Sequence, residues 1–196
     1  YREDTYTQGF KVYTTIRHQD QLAAYQAVRN GVLEYDRRHG YRGPEGFADL
    51  KKGSGEEYLE EALQDAADND DLIPAVVLEA SPQLVRAYCK GGEIAEVSGD
   101  ALRFAQRALG NKVALNQRIN PGSIIRLQKD EKGVWQISQL PQVESAFVSA
   151  DPRDGAIHAL VGGFNFNRNQ FNRITQAWRQ PGSSLKPFIY SAALEK

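Results

Sequence analysis

Methionine is absent from this sequence, and cysteine occurs once, as Cys89. One cysteine excludes an internal disulfide, so burial and hydrogen bonding have to hold the fold. Cys89 ends the apolar stretch L-V-R-A-Y-C, which predicts a buried and inert thiol and leaves the redox compartment open. Histidine is scarce too: His18, His39 and His158 have no ligand-like spacing with Cys89, so neither a metal site nor a cofactor is expected. Long apolar runs are also missing. With no stretch of about 18 apolar residues, nothing reads as a membrane-spanning helix, and the opening Y-R-E-D-T-Y lacks the apolar centre of a secretory signal. A first residue Tyr1, the lack of Met and a closing S-A-A-L-E-K that breaks off inside a helical pattern predict an internal piece of a longer protein. The net charge of −1 argues against a nucleic-acid partner. It is unevenly spread: residues 51–71 hold eight Asp/Glu against two Lys, while 72–141 hold nine Lys/Arg against six Asp/Glu.

What is present is a globular composition, 41% hydrophobic over 196 residues, enough for one large domain or a domain with a smaller companion. Residues 9–16, G-F-K-V-Y-T-T-I, read as a strand. From Gln19, the residues Leu22, Tyr25, Val28, Val32 and Tyr35 recur at steps of three and four, which predicts a helix that stops near Gly40. H-G-Y-R-G-P-E-G follows as a turn-rich connection. Ser54-Gly55-Glu56-Glu57 fits a capping box ahead of a narrow apolar stripe, Leu59, Ala62, Leu63 and Ala66, whose other face is acidic. That face is either solvated surface or a docking strip.

Between residues 72 and 141 the texture changes to short β-rich runs, I-P-A-V-V-L-E-A, Q-L-V-R-A-Y-C, G-E-I-A-E-V, S-I-I-R-L-Q and G-V-W-Q-I-S. A short helix at 100–109, with Leu102, Ala105 and Leu109 on one side, interrupts them. This pattern predicts a small OB-type barrel, a shape that by itself fixes no ligand. The two runs around D-P-R-D-G at 151–155 predict a hairpin with Ala146, Val148, Ile157, Ala159 and Val161 on one face. The asparagine-rich F-N-F-N-R-N-Q-F-N-R is expected to be an irregular loop. Trp135 and Trp178 read as core or loop anchors. Adjacent carboxylates such as Glu56/Glu57 and Asp70/Asp71 read as solvated rather than as a glycosidase pair.

Residues 179–190, R-Q-P-G-S-S-L-K-P-F-I-Y, place Ser183 and Lys186 three residues apart behind a Pro-Gly turn. At a helix start, Ser183 sits beside unpaired amides and Lys186 lies on its face. A lysine desolvated there can take the serine proton, and the serine amide can hold an oxyanion. Ser183 as a plain N-cap with Lys186 in solvent explains the tetrapeptide equally well.

The longer segment F-N-R-I-T-Q-A-W-R-Q-P-G-S-S-L-K-P-F-I-Y resembles the serine motif of class A penicillin-binding proteins. K-V-Y-T-T-I, Y-D-R-R-H-G-Y-R-G-P and S-A-D-P-R-D-G-A-I-H-A-L-V-G-G agree with that family in the same order. H-G-Y-R-G-P is similar to the 1A type of Gram-negative bacteria. The resemblance implies an α+β fold: a penicillin-binding transpeptidase domain, antiparallel sheet with helices, interrupted by a small OB-like β-barrel insert. On that pattern residues 1–50 begin the transpeptidase domain, 51–141 are the inserted docking domain, and 142–196 hold a sheet hairpin and the start of the serine helix.

The implied activity is D,D-transpeptidation in a bifunctional glycosyltransferase/transpeptidase. Ser183 is then the acyl-ester nucleophile and Lys186 the general base. Peptidoglycan stem peptides and a lipid-linked precursor are the substrates, and beta-lactams the inhibitors. An outer-membrane lipoprotein activator docks on 51–141, the remainder of the transpeptidase domain packs on the serine helix, and the location is the periplasmic face of the inner membrane. The family's S-x-N and K-T-G motifs do not occur between Tyr1 and Lys196, so this stretch alone is not expected to be active. The alternatives are a serine beta-lactamase-like hydrolase and a non-catalytic binding module in 51–141.

Overall fold

The computed structural model describes residues 7–53, 55–67 and 69–195. Its elements are α1 (His18–Arg38), β1 (Gly46–Phe47), α2 (Glu56–Leu63), β2 (Ile73–Ala80), β3 (Leu84–Cys89), β4 (Ile94–Ser98), a 3-10 helix (Gly99–Leu109), a 3-10 turn (Leu115–Gln117), β5 (Ser123–Lys129), β6 (Trp135–Ser138), β7 (Phe147–Ala150), β8 (Ile157–Val161), a second 3-10 turn (Gly182–Leu185) and α3 (Lys186–Leu194).

Strands β1 to β6 form one antiparallel sheet in the order β1-β5-β2-β3-β4. β6 joins the edge of β5 that β1 occupies: β1 pairs at Ser123 and Ile124, β6 from Arg126 to Lys129. Side chains alternate across this sheet with the period of two that a strand imposes. Ala75 and Val77, Val85, Ala87 and Cys89, Ala95 and Val97, Ile125 and Leu127, and Ile137 meet in one interior cluster. The 3-10 helix plugs that interior with Leu102, Ala105, Ala108 and Leu109, packing on β3, β4 and β6. Cys89 is buried as expected, and burial pushes its thiol up to about 11. On the outer face Val76 and Tyr88 receive Leu59 and Leu63 of α2. Glu93, in the β3–β4 turn, accepts from Lys129 Nζ and Trp135 Nε1 at 3.1 Å each, which draws the end of β5 and the start of β6 toward that turn.

The second unit is α1 on the β7–β8 hairpin. Ala24, Val28 and Val32 pack on Ala159, Val161, Phe164 and Leu72. The stop expected near Gly40 is found: α1 ends at Arg38 and Gly40 takes φ +85°, a left-handed value that glycine adopts without a Cβ clash.

Four local expectations change. Residues 9–16 do not form a strand; they run exposed past β8, held by Arg17 N to His158 O (2.9 Å) and Thr15 Oγ1 to Ile157 O (2.7 Å). Their side chains are exposed rather than half-buried on a pleated surface. The connection after α1 is less irregular than predicted, because Gly46 and Phe47 pair with β5. Val148 does not share a face with Ala159 and Val161: it pairs with Leu160, so its neighbours Phe147 and Ser149, opposite Val161 and Ala159, take that face, and a register shift follows between Ser149 and Ala150. Ser54, the expected capping hydroxyl, lies outside the described residues; the N-cap position of α2 is Gly55.

Arg126 is the most consequential outward-facing residue of the barrel. Its side chain is 1% exposed, forks onto both oxygens of Glu45 (2.9 and 3.0 Å), and donates to the carbonyls of Ala67 and Leu72 at 2.8 and 3.2 Å. One guanidinium thereby joins the approach to β1, the approach to β2, and β5. Replacement by leucine strands the Glu45 carboxylate and two carbonyls, so Arg126→Leu is expected to lose about 3 kcal/mol of stability in urea unfolding. Wild-type stability in that variant would show that the fork contributes little.

Candidate active site

Ser183 is reached from β8 through a loop whose own side chains shape it. Asn165, Asn169 and Asn172 each accept a backbone N–H two or three residues on through Oδ1, at 3.0, 2.9 and 2.9 Å, the local turns expected of an asparagine-rich run. The loop folds back over the end of β8: Arg173 N donates to Gly162 O at 3.0 Å. Glu144 Oε2 accepts from Phe164 N (2.8 Å) and pairs with Arg173 (3.5 Å), while Arg168 Nη1 reaches Pro141 O (2.7 Å).

Two glycines permit this approach. A Cβ on Gly162 would lie 2.9 Å from Asn172 Cα, and one on Gly163 would lie 2.9 Å from Arg173 Nη1.

The other side of the loop rests on α1. Arg29 is buried, its guanidinium 4.4 Å from the Phe164 ring centre, and it pairs with Asp70 (3.3 Å) and with Asp71. Asp70 has φ +54°, accepts from the Tyr25 hydroxyl, and accepts from Asn165 Nδ2 at 3.3 Å. Two turns further along α1, buried Asp36 accepts from Arg42 Nη1 (2.9 Å), Gln139 Nε2 (2.7 Å) and Gln142 N (3.3 Å). Sequence reading missed both residues. The signal was there: Ala24, Val28, Val32 and Asp36 recur at steps of four, as do Tyr25 and Arg29, so periodicity places the two charges on the inward face.

Ser183 lies in the 3-10 turn ahead of α3, one turn earlier than an N-cap of that helix. In 3-10 geometry residues i and i+3 eclipse, which stacks Lys186 over Ser183 more directly than an α-turn would. Gly182 makes the bend with φ +52°, Ser184 N donates to Pro181 O (3.1 Å), and Lys186 N donates to Ser183 O. The amide of Ser183 itself has no backbone acceptor among the described residues and stays available to an oxyanion. Pro187 sits in the first turn of α3, where its missing N–H costs little.

The expectation of a buried Lys186 is not met within this chain: no described residue from 179 to 195 is buried. Phe188 is 72% and Leu194 88% exposed, Ile189 and Tyr190 are exposed with them, and Trp178, read as an anchor, is 99% exposed. Every residue of α3 is exposed.

Comparison with known proteins identifies the family. The penicillin-binding protein OB-like domain family matches residues 41–143. Over its full length the chain is 44% identical to penicillin-binding protein 1A of Neisseria gonorrhoeae and 40% identical to that of Pseudomonas aeruginosa, covering 25% and 24% of those proteins. It thus spans about a quarter of the length of the curated relatives it matches. The crystal structure of penicillin-binding protein 1A from Haemophilus influenzae superposes on 96% of the chain and 27% of its own, with a TM-score of 0.81 and 37% identity.

Because the serine loop depends on the glycine pair, Gly162→Ala is expected to displace residues 172–173 while the barrel stays intact. Hydrogen exchange of the Arg173 amide, which donates to Gly162 O, should then speed up about tenfold or more. Unchanged exchange would show that the loop tolerates the shift.

Proposed function

This chain belongs to the penicillin-binding protein OB-like domain family, and on that premise we propose that it is the part of a bifunctional peptidoglycan synthase in which the OB-like barrel interrupts a D,D-transpeptidase domain. The observation that carries the reading is the placement of Ser183 and Lys186, eclipsed across a 3-10 turn at the start of a helix whose apolar side chains are bare. A helix apolar on every side requires cover. The remainder of the transpeptidase domain supplies it, burying Lys186 and bringing the S-x-N and K-T-G motifs opposite Ser183.

In the reaction, Ser183 Oγ attacks the penultimate D-Ala carbonyl of a stem peptide and its proton passes to Lys186 Nζ. The Ser183 amide holds the oxyanion. As the tetrahedral species collapses, Lys186 returns the proton to the departing D-Ala nitrogen and leaves a serine ester. An amine from a neighbouring strand attacks that ester, forms the cross-link and restores the serine. A beta-lactam acylates the same oxygen, its ring nitrogen taking the place of the leaving amine. The reading places the domain on the periplasmic face of the inner membrane, in one polypeptide with a glycosyltransferase that takes the lipid-linked precursor.

Fluorescent penicillin added to the complete protein should label the peptide that contains Ser183. Labelling should vanish in Ser183→Ala, and it should fall by orders of magnitude in Lys186→Arg, because guanidinium does not release its proton near neutral pH. Full labelling of Ser183→Ala would remove the assignment, and a wild-type rate in Lys186→Arg would reduce Lys186 to a positioning role.

Residues 51–141 are proposed as the docking module for the outer-membrane lipoprotein activator. The exposed carboxylates of Glu56, Glu57, Glu61 and Asp65 on and beside α2 support this, as does the open edge of β4. Excising the segment would also take Asn69, Asp70, Asp71 and Leu72 away from α1, so charge reversal is the cleaner test. Glu57→Lys with Glu61→Lys should abolish binding of the purified lipoprotein and spare penicillin labelling; undiminished binding refutes this face as the docking site.

A further inference from the structure

Two adjoining cavities, of about 650 and 480 Å³, lie between the C-terminal end of α1 and the 3-10 helix, and both are lined by Gly40 and Phe104. Their cationic walls are Arg37 and Arg103 on one side of Phe104, and Arg42 and Arg107 on the other, where His39 also lines the cavity. Arg42 is matched by Asp36 and Arg103 by Asp100. Arg37 reaches only the amide oxygen of Gln136 (3.3 Å), and Arg107 has no side-chain partner among the described residues. Between these two unmatched guanidiniums stand Phe104, with the Arg37 guanidinium 5.5 Å from its centre, and Tyr41, edge-on to it at 5.6 Å. The Tyr41 hydroxyl is buried and has no hydrogen-bond partner among the described residues.

A concave site with two spare guanidinium forks on either side of an aromatic floor selects for planar anions. We propose that this cleft binds a carboxylate-rich segment of a partner protein, its acidic side chains on Arg37 and Arg107 and their stems against Phe104. An anionic membrane suits the site less well: bilayer attraction favours lysines spread on a convex or flat surface, whereas these arginines line a recess. The cleft straddles the boundary of the docking segment, with Arg37, His39 and Arg42 outside residues 51–141 and Phe104 and Arg107 inside, and it lies apart from the acidic face of α2 that the docking reading uses.

The test is fluorescence anisotropy of a labelled oligoglutamate peptide on the full chain, with oligoglutamine as control, across a range of salt. Oligoglutamate alone should bind, with affinity falling as salt rises. Arg37→Ala with Arg107→Ala should weaken it about tenfold or more. Both side chains are exposed, so an unchanged unfolding midpoint would confirm that the variant is folded. Equal affinity in the double variant, or no salt-sensitive binding by the wild type, overturns the proposal. Preference for phosphatidylglycerol vesicles over the peptide overturns it in favour of a membrane. Self-association that the double variant abolishes overturns it in favour of a second copy, whose acidic α2 would then be the occupant.

Discussion

Two charges buried on one face of α1 set the relation between the barrel and the rest of the chain. Arg29 and Asp36 are separated by two helical turns and are both withdrawn from water. A buried charge left unmatched costs several kcal/mol, of the order of 3–5, so each needs its partners in place. Those partners come from both roots of the barrel: Asn69, Asp70 and Asp71 before β2 for Arg29, Gln139 and Gln142 after β6 for Asp36. Apolar contacts alone would let the barrel pivot on α1, because dispersion has no direction. Paired charges at two points seven residues apart fix the angle.

The same arrangement reaches toward the serine. Asp70 does not end at Arg29; it also holds Asn165, the fourth residue of the loop that runs from β8 to Ser183, and it does so in a left-handed backbone conformation that a non-glycine residue rarely adopts. Pro141, at the other root, accepts from Arg168 of that loop. The loop is therefore seated against the barrel's attachment points as well as against β8. The Gly162–Gly163 pair then brings its far end down onto the strand.

The parts of this fold that were legible in the sequence are those that rest on periodicity. Ile73–Ala80 and the interior side of β3, β4 and β5 follow from apolar alternation, and Leu102, Ala105 and Leu109 from the spacing of a buried helical stripe. What periodicity missed was polar and long-range. Nothing within ten residues of Arg126 reveals that Glu45 will meet it, and although helical periodicity puts Arg29 on the inward face, its partners at 69–71 lie forty residues or more along the chain. Residues 9–16 failed for the opposite reason: β propensity describes a fit to a half-buried pleated surface, and these residues are exposed.

Ser183 and Lys186 show where local sequence reading runs out. Spacing, the Pro-Gly bend and the apolar helix put the hydroxyl, the amine and an unpaired amide within one turn, and this much the chain achieves by itself. The proposed catalysis also needs the amine to lose its proton, which removal from water or a neighbouring cation favours. The side chains best suited to make a dry wall, Phe188, Ile189 and Leu194, are on α3 and face solvent. They carry the helix's half of an interface, so the surface that buries Lys186 is the same surface that covers them. On the proposed function, folding of the serine helix into its domain and activation of Lys186 would be one event, because whatever leaves α3 bare also leaves Lys186 in water.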